Sequence, residues 1–323
     1  TAPRQDMRKA ILLIGILILT SVGPATTVAA PATQTEVGLL IGGQWAYANS
    51  TGNSTLNLSD LPPVVEVYTA TWCSNCVDVE HALDAIENDS GIQQYHIHRA
   101  INEVQDPLGS IEVDQRFHDR YGVFAPPVVI FNGTIIKPGS VTSSESLEVE
   151  FTQHAQESLE HAGDSLFVWS PTSNTSGTVE WALNIESLTA PNGSSIVAQA
   201  WIVEKSANFE EGTNGLEDYP HVVRGILELG QLDVNGSQIS MSGNTSITLP
   251  PAYDGNERSA HLLDQLNYPV EDAPVENQTS DELECLLPEG CDEDEGSLPG
   301  ISMISSVGIL AAVALLRNSR RED

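Results

Sequence analysis

Apolar and polar positions alternate in two different rhythms along this chain. Over residues 64–68 the run Val64, Val65, Val67, Tyr68 is β-branched or aromatic and predicts a buried strand. A short Thr69-Ala70-Thr71 turn follows, and residues 77–86 then carry helical spacing. Strand character returns over 95–100. Helical spacing over 111–121 puts Val113, Phe117 and Tyr121 on one side. A proline pair, Pro126-Pro127, opens a strand over 128–131, and Asn132-Gly133 predicts a turn into a partner strand over 134–137. A helix over 144–161 closes this half.

Beyond residue 165 the rhythm becomes that of strands separated by Gly, Asn and Pro turns. Strands are predicted over 166–170, 178–188, 195–205, 221–232, 238–241 and 245–249. Residues 259–266 read equally as a helix or a last strand. No nucleophile–base pair or phosphate loop occurs in this half, where His221 and Arg224 read as structural. The expected layout is a leading strand and linker over 31–60, an α/β unit over 61–163 and an all-β, immunoglobulin-like sandwich over 164–268.

The chemistry concentrates at Trp72-Cys73-Ser74-Asn75-Cys76, where the first strand meets the first helix. Two intervening residues in a first helical turn bring both sulfurs within bonding reach. The first sulfur lies at the positive end of the helix dipole, which favours its thiolate. Cys73 is therefore the expected attacking sulfur and Cys76 the resolving one. Zinc needs two further ligands, and the remaining cysteines, Cys285 and Cys291, lie far away in an acidic stretch. No cofactor or metal is expected. Trp72 reads as an aromatic lid on the bridge or as plain packing. Glu66 reads either as an acid beneath the sulfurs that accepts a proton or as a strand residue facing a polar partner. His81 reads as a solvent-facing helix residue. His96 and His98 share a strand face and, with His118, make a weak metal set.

Charge sets the surroundings. Against 45 acidic residues stand 13 basic ones, a formal charge of −32, and nucleic acid is excluded as a partner. Residues 7–30 have a basic start, an apolar core and small residues at their end, the pattern of a secretory signal peptide; an uncleaved anchor is the other reading. Asn-x-Ser/Thr sequons begin at Asn49, Asn53, Asn57, Asn88, Asn132, Asn174, Asn192, Asn235, Asn244 and Asn277, and read as glycan acceptors on an external surface. Residues 269–298 form an acidic stalk holding Cys285 and Cys291, read as a small local disulfide. Residues 299–321 form an apolar segment with a basic stop, a membrane anchor or sorting tail.

The element order over 61–163, with Cys73-x-x-Cys76 followed by the Pro127-Val128-Val129-Ile130-Phe131-Asn132-Gly133 stretch, resembles the thioredoxin-like superfamily. That resemblance implies a thioredoxin fold and a cis peptide before Pro127, across from the attacking sulfur and bordering a substrate groove; a rigid loop end is the bland reading of the proline pair. The stretch Glu66-Val67-Tyr68-Thr69-Ala70-Thr71-Trp72-Cys73-Ser74-Asn75-Cys76, with Ala200-Trp201-Ile202-Val203-Glu204 further on, resembles outer-membrane thioredoxin-like lipoproteins that carry an appended β-sandwich. The C-terminal tail is similar to archaeal surface-protein sorting signals. Two functions are expected from these readings. One is a tethered, extracytoplasmic thiol–disulfide oxidoreductase, its partners the thiols and disulfides of exported proteins and an electron partner outside the cytoplasm. The other is a cell-surface binding or adhesion glycoprotein whose Cys73–Cys76 bridge is structural.

Overall fold

Local chemistry cuts the helices to length. Helix α1 (Ser74–Ser90) starts from the extended backbone of Cys73 and stops at Gly91, whose left-handed backbone needs no Cβ to be accommodated. Helix α2 (Ile111–Tyr121) stops in the same way at Gly122. Helix α3 (Leu147–Ala155) begins at Ser146, whose hydroxyl accepts the Val149 N–H. That cap explains why α3 starts later than the spacing over 144–161 suggested.

The computed structural model describes residues 29–123, 125–156, 161–255 and 257–269. Its strands are β1 (Thr33–Gln34), β2 (Gly38–Tyr47), β3 (Gly52–Asn57), β4 (Val64–Thr69), β5 (Gln93–His98), β6 (Val128–Phe131), β7 (Ile135–Pro138), β8 (Gly163–Ser173), β9 (Ser176–Ile185), β10 (Ser195–Asn208), β11 (Asp218–Asp233), β12 (Ile239–Thr248) and β13 (Arg258–Asn267). Nine of them form one sheet in the order β1-β7-β6-β4-β5-β11-β10-β13-β2, and the other four form a sheet in the order β12-β9-β8-β3. The described residues belong to one compact unit.

Helices cover the first part of the large sheet on both faces. Val79, Leu83 and Ile86 of α1 and Phe151 of α3 pack on Val65 and Val67 of β4. Val113, Phe117 and Tyr121 of α2 pack on the other face, against Val64 and Tyr68 and also against Trp201 and Leu263 of the later strands. Further along, Trp169 and Trp181 of the small sheet meet Ala198, Ile202 and Leu262 of the large one, closing a second core between the sheets.

This architecture corrects the expected fold class. Of the described residues 46% lie in strands and 17% in helices, so the chain is mostly β rather than an α/β thioredoxin fold followed by a separate sandwich. The large sheet runs through both halves. Val222 of β11 pairs in parallel with His96 of β5, and β2, expected only to lead the chain, pairs along its length with β13. A strand hydrogen-bonds through its backbone, so nothing in its side-chain pattern names a partner far along the chain. The uncertain segment over 259–266 is strand β13. It is buried on both faces, which erases the alternation a half-exposed strand would show.

The expected signal peptide, the Cys285–Cys291 pair and the terminal anchor lie outside the described residues, as does nearly all of the acidic stalk. No helix among the described residues is long and apolar enough to cross a membrane.

Candidate functional site at the Cys73–Cys76 bridge

Strand β4 is buried along its whole length and delivers the chain into the Ala70–Trp72 turn. The Cys73 N–H donates to the Ala70 carbonyl at 2.9 Å, and the Cys76 N–H to the Cys73 carbonyl at 3.1 Å. Cys73 and Cys76 are joined as a disulfide with their Cα atoms 5.3 Å apart. Cys73 keeps 6% of its surface and Cys76 none, so any approach to the bridge is through Cys73. Ala70 and Trp72 pack around the two sulfurs.

The turn is held from two sides. From the loop after β5, Asp106 accepts the Thr71 N–H at 2.9 Å, and Glu103 accepts the Trp72 indole N–H at 2.8 Å. Burial works against the Glu103 charge. The N–H groups of Gln105, Trp72 and Val104 outweigh it and hold that carboxyl below its usual range. From the β10–β11 hairpin, the amides of Thr213 and Asn214 both donate to the Thr71 carbonyl, at 3.0 and 3.1 Å. The Tyr219 hydroxyl anchors that hairpin, lying 2.8 Å from Asn214 Oδ1 and 3.0 Å from the Leu216 carbonyl. Burial pushes its phenol up to about 12.

The Pro126–Pro127 peptide is cis. Tyr68 of β4 pairs with Val128 of β6, so Pro127 stands one residue beyond, at the end of the sheet that carries the Cys73 turn. Its carbonyl accepts the Gly139 N–H at 2.8 Å.

Glu66 lies elsewhere. It shares strand parity with Val64 and Tyr68, which face α2, whereas α1 and its bridge sit on the face of Val65 and Val67. Its fully buried carboxylate is paired with the Arg116 guanidinium and the Tyr121 hydroxyl. Arg116 also reaches Gln265 Oε1 at 2.7 Å and lies 4.6 Å over the Trp201 ring. This is the polar-partner reading of Glu66.

The acid on the bridge's side of the sheet is Glu80, one helical turn after Cys76 and buried with it. Burial raises its carboxyl pKa, and the Thr69 hydroxyl, donating at 2.6 Å, offsets part of that. The sequence carried a signal for it: an acid at the fourth position after Cys76, between the buried Val79 and Leu83. Asp106 and the hairpin over 209–217 carried none, because loop residues reveal no partner through spacing.

The three histidines of the expected metal set do not converge. His118 binds Asp114 and Tyr68, each at 2.9 Å, on the α2 face. His96 and His98 face the α1 side, and His81 is exposed. Burial, followed by the nearby charges of His221 and His98, holds the His96 imidazole well below its usual pKa. No cluster of three or more metal-ligating side chains occurs among the described residues. The Asn132 sequon, expected to be accessible, is buried, and its side-chain oxygen accepts the Val64 N–H at 2.8 Å.

No family model matches the chain, and no curated protein matches it. Two solved structures are similar to part of it. Protein AGR_C_4864 from Agrobacterium tumefaciens is 18% identical over 65% of this chain and 95% of its own, with a TM-score of 0.38. HBP35 of Porphyromonas gingivalis is 13% identical over 62% of this chain and 68% of its own, with a TM-score of 0.42. Likenesses this partial carry neither a fold nor a role across. With a mostly β structure and no matching family model, the resemblance to thioredoxin-like lipoproteins is corrected: short motifs alone carried it.

Proposed function

We propose that this protein works outside the cytoplasm, tethered to a membrane, and that its Cys73–Cys76 bridge is opened and re-formed by thiol–disulfide exchange with exported proteins. The observation that carries this reading is the graded burial of the bridge at the mouth of α1, with a sliver of Cys73 left accessible and Cys76 fully enclosed, one helical turn before the buried acid Glu80. An incoming thiolate bonds to the Cys73 sulfur, the bridge breaks, and Cys76 leaves carrying the electron pair. The terminal apolar segments, the acidic exterior and the many sequons support the location.

A second reading makes the chain a surface binding module with a structural bridge. It is supported by the mostly β architecture, by the near-complete burial of both cysteines, and by the hairpin amides of Thr213 and Asn214 that clamp the preceding turn at Thr71. One titration separates the two. Exchange with peptide thiols and a potential above about −300 mV support the first, while a lower potential supports the second. A purified chain that neither reduces insulin nor oxidises a reduced peptide, and behaves as Cys73→Ser does, ends the exchange reading.

A further inference from the structure

The four-stranded sheet ends in two strands that pair on one side only. Among the described residues β3 pairs with β8 alone, and β12 with β9 alone. Both run in unbroken register with their neighbours, so no bulge bends either edge away. Neither strand holds a proline or a charged residue, in a chain that carries 45 acidic and 13 basic ones. A regular, uncharged edge leaves a row of backbone N–H and C=O groups open to another chain, and folded proteins ordinarily block it with charge, proline or a bulge. Here those devices are absent.

What both edges do carry is an outward sequon. Burial alternates along β3 and leaves Asn53, Thr55 and Asn57 exposed on one face. On β12 the exposed positions include Asn244 and Ser246. The period of two thus puts the asparagine and the hydroxyl of its sequon on the same face in Asn53-Ser54-Thr55 and in Asn244-Thr245-Ser246. Ser59, the hydroxyl of the Asn57 sequon, is exposed just beyond β3. The register lines up Asn53, Val168, Glu180 and Asn244 in one row across the sheet. Three strand spacings of about 4.8 Å set the two asparagines about 14 Å apart, one at each end of that row. Asn57 donates through Nδ2 to Asp60 at 2.7 Å, a bond that needs only one of its two amide hydrogens. The Asn132 sequon is the contrast, buried and committed to the Val64 N–H.

We propose that Asn53, Asn57 and Asn244 carry N-linked oligosaccharides, and that these sugars guard the two open edges of the small sheet. The proposal rests on the extracytoplasmic location proposed above and not on the exchange reading. In the transfer, the side-chain nitrogen of each asparagine bonds to C1 of the first sugar of a lipid-phosphate-linked oligosaccharide. The bond from C1 to the phosphate oxygen breaks, the lipid phosphate leaves with the electron pair, and the amide proton is released. Asn132 stays bare in the folded chain, because its buried side chain is already spent on Val64. A bulky, hydrated group at each edge denies a second copy the close approach that strand pairing requires.

The test is a peptide map by mass spectrometry of the full chain taken from the cells that make it, with protease treatment of the intact cells to show which side of the membrane it occupies. Sugar mass is expected on the peptides of Asn53, Asn57 and Asn244, and none on that of Asn132. A variant combining Thr55→Ala, Ser59→Ala and Ser246→Ala keeps the asparagines and removes their sequons. It should lose those masses and sediment as larger species than the native chain at equal concentration. If it fails to fold, Ser246→Ala alone, which opens only the β12 edge, is measured in its place. Asn53→Lys with Asn244→Lys puts a charge where each sugar stood and should sediment as the native chain does. Bare Asn53, Asn57 and Asn244 on an external chain, or sugar on Asn132, overturns the assignment of sites; a bare chain found already assembled would show the edges pairing with a second copy instead. A sugar-free variant that sediments as the native chain does overturns the guarding role. A chain that protease never reaches in intact cells overturns the location and this proposal together, and leaves bridge exchange to its own titration.

Discussion

Asp264 offers the sharpest test of how the large sheet is held together. It lies in β13 between Ala198 of β10 and Ile41 of β2. It is 1% exposed, and neither carboxyl oxygen has a hydrogen-bond partner among the described residues. Burial alone raises its pKa from 3.8 to about 8. The folded chain therefore holds the proton over a range in which the unfolded chain has released it. Stability from this group is complete below pH 4 and is lost as pH rises through about 8. At about 1.4 kcal/mol per pH decade the full span amounts to roughly 6 kcal/mol, and water penetrating around the ionised group trims that to about 3–5 kcal/mol. Asp264→Asn keeps the shape and removes the charge. Urea unfolding of both chains at pH 5, 7 and 9 should show the stability of the variant relative to the native chain rising steadily from pH 5 and levelling above about pH 8. Parallel stability curves for the two chains across that range would refute the reasoning, because Asp264 would then be hydrated or paired.

Three further outcomes follow from geometry already described. Glu66→Gln should cost about 3–5 kcal/mol in denaturant melts by leaving Arg116 uncompensated, while the pH profile of bridge reduction stays unchanged. A shifted profile would return Glu66 to the bridge. Tyr219→Phe should loosen the hairpin from Asn214 and Leu216 and speed reduction by dithiothreitol several-fold, at a stability cost of about 1–2 kcal/mol; an unaltered rate would show that the hairpin does not restrict access. Gly177→Ala should destabilise by about 1–3 kcal/mol, since an added Cβ would meet the Trp169 ring at 2.1 Å, and a neutral melt would mean that ring moves freely.

What the sequence made legible was local. The strand ending before Thr71, the helix beginning after Cys73 and the hairpin at Asn132-Gly133 each depend on neighbours a few residues away, and they form where the spacing placed them. Glu66 was half legible: parity put it on one face with Val64 and Tyr68, but which face α1 covers is set by the fold, so both roles stayed open. The joining of β11 to β5 was not legible, since it is made through the backbone at a single pair, Val222 with His96, and no side-chain pattern announces it. The grip of Asp106 on Thr71 and of Thr213 on the same residue arises from loops brought together by that joining. Motif resemblance misled for a related reason. A dithiol and a proline strand are short segments, and the sheet that holds them extends well beyond both.

The pairing of β2 with β13 has a consequence for the order in which the protein can be made. β2 is almost wholly buried, yet its strand partner is the last one described. During synthesis the backbone of β2 must wait for its strand partner until residue 267 has emerged. A ribosome-bound intermediate is thus obliged to leave one edge of its large sheet open until the last described strand arrives to close it.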